Sequence, residues 1–199
     1  FYMGRLSSGI GYNLSAMGKN QLAQQYYNRA IEIFYELRLP EDIGEVYYNR
    51  ALDYIMQERY ADAEHDLLIS MKVIEKLHLN SLRVCNLSKL YALLALAGIS
   101  QKDRFTCERY LLSCRQFLNY IKEKKNKYEE IIHDYAQCDD DMFLYAFAQA
   151  LLNQYDGDYD GAYDNFEKAE HFLAKAEGNA FFSYRIFRQA RMDLFQQMG

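Results

Sequence analysis

The sequence predicts an all-α protein built from about ten antiparallel helices. Apolar residues recur at steps of three and four along almost the whole chain, and the strict alternation that is typical of strands is absent. A single proline, Pro40, and 10 glycines among 199 residues favour long helices over many tight turns. Hydrophobic residues make up 50% of the chain, so it can bury a substantial core.

The helices carry a repeated pattern of side-chain size. A small residue is followed four positions later by a large one and three positions after that by another small one. Small side chains let two helices approach closely, while the large one fills the groove of its partner. Three stripes follow this pattern: Ala23, Tyr27 and Ala30; Ala63, Leu67 and Ser70; and Ala162, Phe166 and Ala169.

Each of these helices follows a turn and an earlier helix that has its own small residue. In the first unit Gly11 precedes a turn at Gly18 and Lys19, and in the second Ala51 precedes a turn at 57–59. In the last unit Gly157 is expected to end the first helix in a left-handed conformation. A degenerate third unit contains Tyr91, Ala95, Cys107, Leu111 and Cys114.

These helix pairs resemble the tetratricopeptide repeat, a helix-turn-helix unit with this small–large–small signature. The segments "YYNRALDYIMQERYADAEHDLL" and "AFAQALLNQYDGDYDGAYDNFEKA" carry the resemblance, with "GIGYNLSAMGKNQLAQQYYNRA" beside them. The resemblance implies one domain over 1–199 that forms a right-handed superhelical α-solenoid. We expect repeats at about 4–40, 41–80, 81–124 and 140–176, an extra helix at 126–137 and a terminal helix at 179–197.

The repeats are longer than those of the resembling family. Successive small residues at Ala23, Ala63, Cys107 and Ala162 are separated by 40, 44 and 55 positions, whereas the family repeats every 34 or so residues. Long second helices, together with additional material before the last unit, would account for the difference.

Charge and composition limit the classes of partner. The formal net charge of -5 argues against direct nucleic-acid binding by this chain, and the basic run at 122–127 is interpreted as a solvated helical face. No apolar run approaches the roughly 18 residues of a membrane-spanning helix, so we expect no membrane partner. Four cysteines without C-x-x-C spacing favour reduced thiols and a cytoplasmic location. Because Phe1 already lies in a helical pattern, we expect a fragment of a longer protein.

The sequence contains no motif that predicts catalysis. Phosphate-binding, zinc-protease and nucleophile-elbow motifs are absent, and the four histidines are scattered. His133, Cys138 and the acidic run 139–141 are interpreted as a helix end followed by N-terminal acidic residues, and Cys107 and Cys114 as packing residues. We therefore expect a non-enzymatic chain with no catalytic residues, no metal and no cofactor.

The resemblance implies that the first helix of each pair lines a concave surface that contacts a peptide or protein. Asn49 could pair with the backbone of an extended peptide, or it could simply hold neighbouring helices together. By repeat phase, the candidate groove residues are Arg5, Ser8, Tyr12, Tyr48, Asn49, Leu52, Lys89, Phe147, Leu151 and Tyr155.

Two functions are consistent with these features. One is a sensory module of a bacterial signalling protein, joined to a GGDEF diguanylate cyclase or a helix-turn-helix domain outside these residues, since such regulatory segments have similar repeats. The other is a structural scaffold or dimerisation module, and a homodimer is compatible with either.

Overall fold

The computed structural model describes residues 1–76, 81–127, 139–175 and 181–199. Within these ranges the chain forms nine α-helices and no strand: α1 Tyr2–Ala16, α2 Asn20–Glu36, α3 Pro40–Met56, α4 Tyr60–Ile74, α5 Ser81–Ser100, α6 Arg104–Lys127, α7 Asp139–Tyr155, α8 Tyr159–Leu173 and α9 Phe181–Met198. The predicted all-α class is confirmed. The predicted helix at 126–137 lies outside the described residues, apart from its first two positions, which belong to α6.

The helices pack as consecutive pairs within two compact units, Phe1–Leu77 and His78–Gly199. In the first unit α1 packs on α2 and α3 on α4, and α1 and α2 both contact α3. In the second unit α5 packs on α6 and α7 on α8, while α9 contacts α7 and α8. In each unit the first helices of successive pairs therefore lie beside one another. That all these repeats form a single domain stays a prediction.

Five inter-helix turns share one backbone conformation. Gly18, Arg38, Glu58, Lys102 and Gly157 have φ between 56° and 79°, in the left-handed region. In each turn the N–H of the next residue donates to a carbonyl five positions earlier, as from Lys19 to Leu14 and from Asp158 to Asn153, both at 2.9 Å. This bond satisfies a carbonyl that the helix end would leave unpaired.

The long repeat spacing of the first unit comes from α2 and α3 together, that is, from the second helix of one pair and the first helix of the next. Helices α2 and α3 have 17 residues each, and three-residue turns follow them at 37–39 and 57–59. Among the second helices, α6 has 24 residues, but α4 and α8 have only 15. The prediction of long second helices therefore describes α2 and α6 but not α4 and α8.

The small–large–small positions form the contact between paired helices. All nine residues of the three stripes are 0% exposed. Helix α1 meets α2 with its own small residues, among them Gly4 and Gly11. A Cβ atom added at Gly11 would lie 2.9 Å from the Tyr27 ring, and one at Gly4 would lie 2.6 Å from the Phe34 ring. The absence of a side chain at Gly4 and at Gly11 makes room for Phe34 and Tyr27 of α2.

Two glycines of α1 give opposite predictions for the same substitution. Gly9→Ala is expected to raise the free energy of unfolding by about 0.5–1 kcal/mol, because no atom lies within 4 Å and alanine is the better helix former. Gly11→Ala is expected to lower it by about 1–2 kcal/mol, because the new methyl overpacks the buried Tyr27 ring. Urea unfolding followed by far-UV circular dichroism measures both, and stabilisation by Gly11→Ala would contradict the close packing of α1 on Tyr27.

Candidate functional site

An open groove of about 430 Å³ lies between α1 and α3, with α2 beneath it. This volume falls in the range of roughly 300–1,000 Å³ that is usual for ligand sites. Its lining residues come from three helices of the first unit: Arg5, Ser8, Gly9, Tyr12, Asn13, Phe34, Asp42, Glu45, Val46 and Asn49.

The helical period explains why these residues share one surface. On α3, Asp42, Glu45 and Asn49 follow one another at steps of three and four, and the α1 residues follow the same spacing. The groove floor is apolar, because it is formed by Phe34 and Val46, which are each 1% exposed. The walls carry hydroxyl, carboxamide and charged groups, so the groove combines an apolar base with polar sides.

The structure brings four of the predicted groove residues together. Arg5, Ser8 and Tyr12 line the α1 wall, and Asn49 lines the α3 wall. Leu52 does not reach the groove, because it is only 9% exposed and belongs to the core. Tyr48 is half-buried beside Asn49 and is not a lining residue.

The predicted groove residues of the second unit differ from one another in exposure and contacts. Leu151 is half-buried, Tyr155 is 49% exposed, and Lys89 forms an ion pair with acidic residues of α7. Phe147 is 0% exposed, with its ring centroid 5.4 Å from that of Phe187 on α9. Because α9 packs over α7 at this position, Phe147 is a core residue, and its prediction as a groove residue is wrong.

Sequence reasoning missed several residues of the groove. Asn13 follows the predicted Tyr12, and Asp42 and Glu45 precede Asn49 by about two turns and one turn of α3. Each of them lies three or four positions from another lining residue. Helical spacing could have predicted them if each turn of α1 and α3 had been assumed to contribute two residues to the groove.

An ion pair joins the first helices of successive repeats in both units. The Nε atom of Arg5 donates to Oδ1 of Asp42 at 3.0 Å, and Nζ of Lys89 lies 3.7 Å from Oδ1 of Asp141. Each carboxylate is the third residue of its helix, and each cation lies equally far from the end of the preceding first helix. An acidic residue in the first turn also interacts favourably with the helix dipole. Equivalent ion pairs therefore link α1 to α3 and α5 to α7.

The Asp141 carboxylate is the more deeply buried of the two. It is 1% exposed, and the Ser88 hydroxyl donates to its Oδ2. Burial raises the pKa of Asp141 to about 6, while Lys89 and the Ser88 hydrogen bond oppose that rise. The Cys114 thiol donates to the Ser88 carbonyl at 3.3 Å, and burial also raises the pKa of this thiol. Among the described residues, Lys89 is the one cation that forms an ion pair with this carboxylate and stabilises its charged form.

Asp141→Asn is expected to change how stability depends on pH. The folded pKa of Asp141, about 6, lies above the usual aspartate value of roughly 3.9. The protonated carboxyl therefore contributes stability to the fold, and this contribution is fully present below about pH 4. It is lost as the pH rises through 6, by at most about 3 kcal/mol. The variant lacks this loss, so its stability relative to the natural chain should rise between pH 4 and 7. Urea unfolding over this range measures the difference. Asp164→Asn, which changes an exposed aspartate of α8, serves as the control, and parallel pH profiles for Asp141→Asn and the natural chain would contradict the prediction.

The described residues also include the two cysteines interpreted as packing residues and the acidic start of α7. Cys107 and Cys114 are buried in the core, as their interpretation as packing residues predicts. Burial raises the pKa of the Cys107 thiol to about 12. His133 and Cys138 lie outside the described residues, and Asp139 begins α7.

The described ranges contain neither a group of metal-ligating side chains nor a membrane-spanning helix. Over 1–76, 81–127, 139–175 and 181–199, no three His, Cys, Asp or Glu residues are grouped as metal ligands would be. No helix within those ranges has the length and apolar character needed to cross a membrane.

No protein-family model matches the chain, and comparison with curated proteins finds no significant match.

Proposed function

We propose that this chain is a tetratricopeptide-like module whose groove between α1 and α3 binds an extended peptide segment. Its role is the sensory or regulatory part of a cytoplasmic bacterial signalling protein, with a GGDEF or helix-turn-helix output domain elsewhere in that protein. The observation that carries the proposal is the groove itself, in which the first helices of two successive repeats supply polar walls above an apolar floor.

The chemistry of the walls suits a peptide main chain. Asn13 and Asn49 contribute one carboxamide each from α1 and α3, and a carboxamide can donate to a carbonyl and accept from an N–H. Each residue of an extended peptide adds about 3.3 Å and carries one N–H and one C=O, and those of every second residue face the same side, where a carboxamide can pair with them. The floor of Phe34 and Val46 would take an apolar side chain, while the half-exposed Tyr12 offers a large face with a polar tip.

The two asparagines provide a direct test. A random peptide display library is selected on the immobilised natural chain and on the double variant Asn13→Ala, Asn49→Ala. Losing two hydrogen bonds should weaken the selected peptides by about 10- to 100-fold. Asn119→Ala, an exposed asparagine of α6, is the matched control and should bind them normally. Equal binding by the double variant, with an unchanged circular dichroism spectrum, would rule out this groove as the peptide site.

A homodimerisation scaffold is the second candidate, and α9 provides the observation that favours it. Met192, Phe195 and Met198 are 56%, 47% and 45% exposed and follow one another at steps of three along the helix. An apolar helix face of this kind suits association with a second copy. Sedimentation over a range of concentrations tests it, because Met192→Glu should reduce any self-association if α9 is the interface.

A further inference from the structure

The charged groups of the groove are unequally paired. Its lining contains one cation, Arg5, and two carboxylates, those of Asp42 and Glu45. Arg5 donates to Asp42 at 3.0 Å, and its guanidinium carbon lies 4.3 Å from the centre of the Phe1 ring. The Asp42 side chain is only 11% exposed. A ligand in the groove would therefore meet Arg5 and Asp42 as a matched pair with little net charge.

With Arg5 paired to Asp42, the remaining charged group of the groove lining is the Glu45 carboxylate. It is exposed, and among the described residues no Lys, Arg or His forms an ion pair with it. It lies one turn after Asp42 and one turn before Asn49 on the same face of α3. The wall thus places an unmatched carboxylate next to the carboxamide that would hold a peptide backbone.

We propose that the groove selects peptides carrying a basic side chain, lysine or arginine, with Glu45 as the ion-pair partner. This inference rests on the proposed function and specifies its ligand class. A basic side chain supplies the missing countercharge, whereas an acidic one would place a like charge beside Glu45 and Asp42. The formal net charge of -5 adds long-range attraction for a basic peptide.

The experiment compares the residues that the groove selects. A random hexapeptide display library with blocked termini is selected on the natural chain, on Glu45→Gln and on Glu45→Lys. The natural chain should enrich lysine and arginine at one position, Glu45→Gln should lose this enrichment, and Glu45→Lys should enrich aspartate and glutamate instead. Glu32→Gln, which removes an exposed carboxylate of α2 outside the groove lining, is the matched control and should keep the natural preference.

A synthetic peptide pair then measures the interaction itself. Replacing the selected basic residue by glutamine should weaken binding to the natural chain by about 1.5-fold to fivefold, as an exposed ion pair allows, and should not change binding to Glu45→Gln. Enriched peptides without a basic residue would overturn this inference and leave the proposed groove function standing. Absence of any enriched peptide would overturn both. A basic preference that persists in Glu45→Gln would overturn the assignment to Glu45.

Discussion

Phe147→Ala is expected to lower the free energy of unfolding by about 3–5 kcal/mol, the usual loss for an aromatic residue cut back to alanine in a core. The Phe147 ring is 0% exposed, and its centroid lies 6.0 Å from that of Phe143, 6.1 Å from Phe166 and 5.4 Å from Phe187. These rings come from α7, α8 and α9. The truncation therefore removes buried apolar surface and leaves a cavity where three helices meet.

The matched control for this prediction is another phenylalanine of the same unit. Phe105 is 75% exposed on α6, so Phe105→Ala should change stability by about 0.5 kcal/mol or less. Because the chain contains no tryptophan, urea unfolding is best followed by far-UV circular dichroism. Equal, small losses for both variants would show that Phe147 faces solvent, as its sequence-based place in the groove implied.

Local patterns predicted the helices and their paired faces well, because packing within a pair depends on residues close together in sequence. Ala23, Tyr27 and Ala30 could be identified from spacing alone, and the turn at Gly18 and the left-handed conformation of Gly157 from residue type. The equivalent turn at Arg38 could not, because a long charged side chain gives no signal for positive φ.

Contacts between distant helices limited the prediction of the site. Repeat phase located Arg5, Tyr12 and Asn49 in the groove, because the position of α3 beside α1 follows from regular stacking. Phe147 occupies a comparable phase, but α9 covers it, and no local pattern specifies where a terminal helix packs. The charge pairing of Arg5 with Asp42, which leaves Glu45 unmatched, also required the spatial relation of two helices.

Arg50→Met is expected to destabilise the first unit by about 3–5 kcal/mol, because it would leave a buried carboxylate without its cation. Nε and Nη2 of Arg50 donate to the two oxygens of Asp66 at 2.6 and 2.9 Å, and Nη1 donates to Asn28 Oδ1 at 2.5 Å. Asp66 is 1% exposed. One side chain of α3 thereby links α4 and α2, so its loss affects all three helices.

Two further variants separate the cost of an unpaired charge from the value of the pair. Arg59→Met removes the cation of the exposed pair with Asp62 and should cost at most about 1 kcal/mol. The double variant Arg50→Met, Asp66→Leu should recover most of the loss in urea unfolding, since apolar replacement of both partners removes the uncompensated charge. A double variant as unstable as Arg50→Met would instead assign the loss to the contacts of Arg50 with Asn28 and the Tyr47 ring, which its guanidinium carbon approaches at 5.0 Å. In either outcome, comparing the double variant with Arg50→Met shows how far the joining of helices in this unit depends on charge and how far on packing.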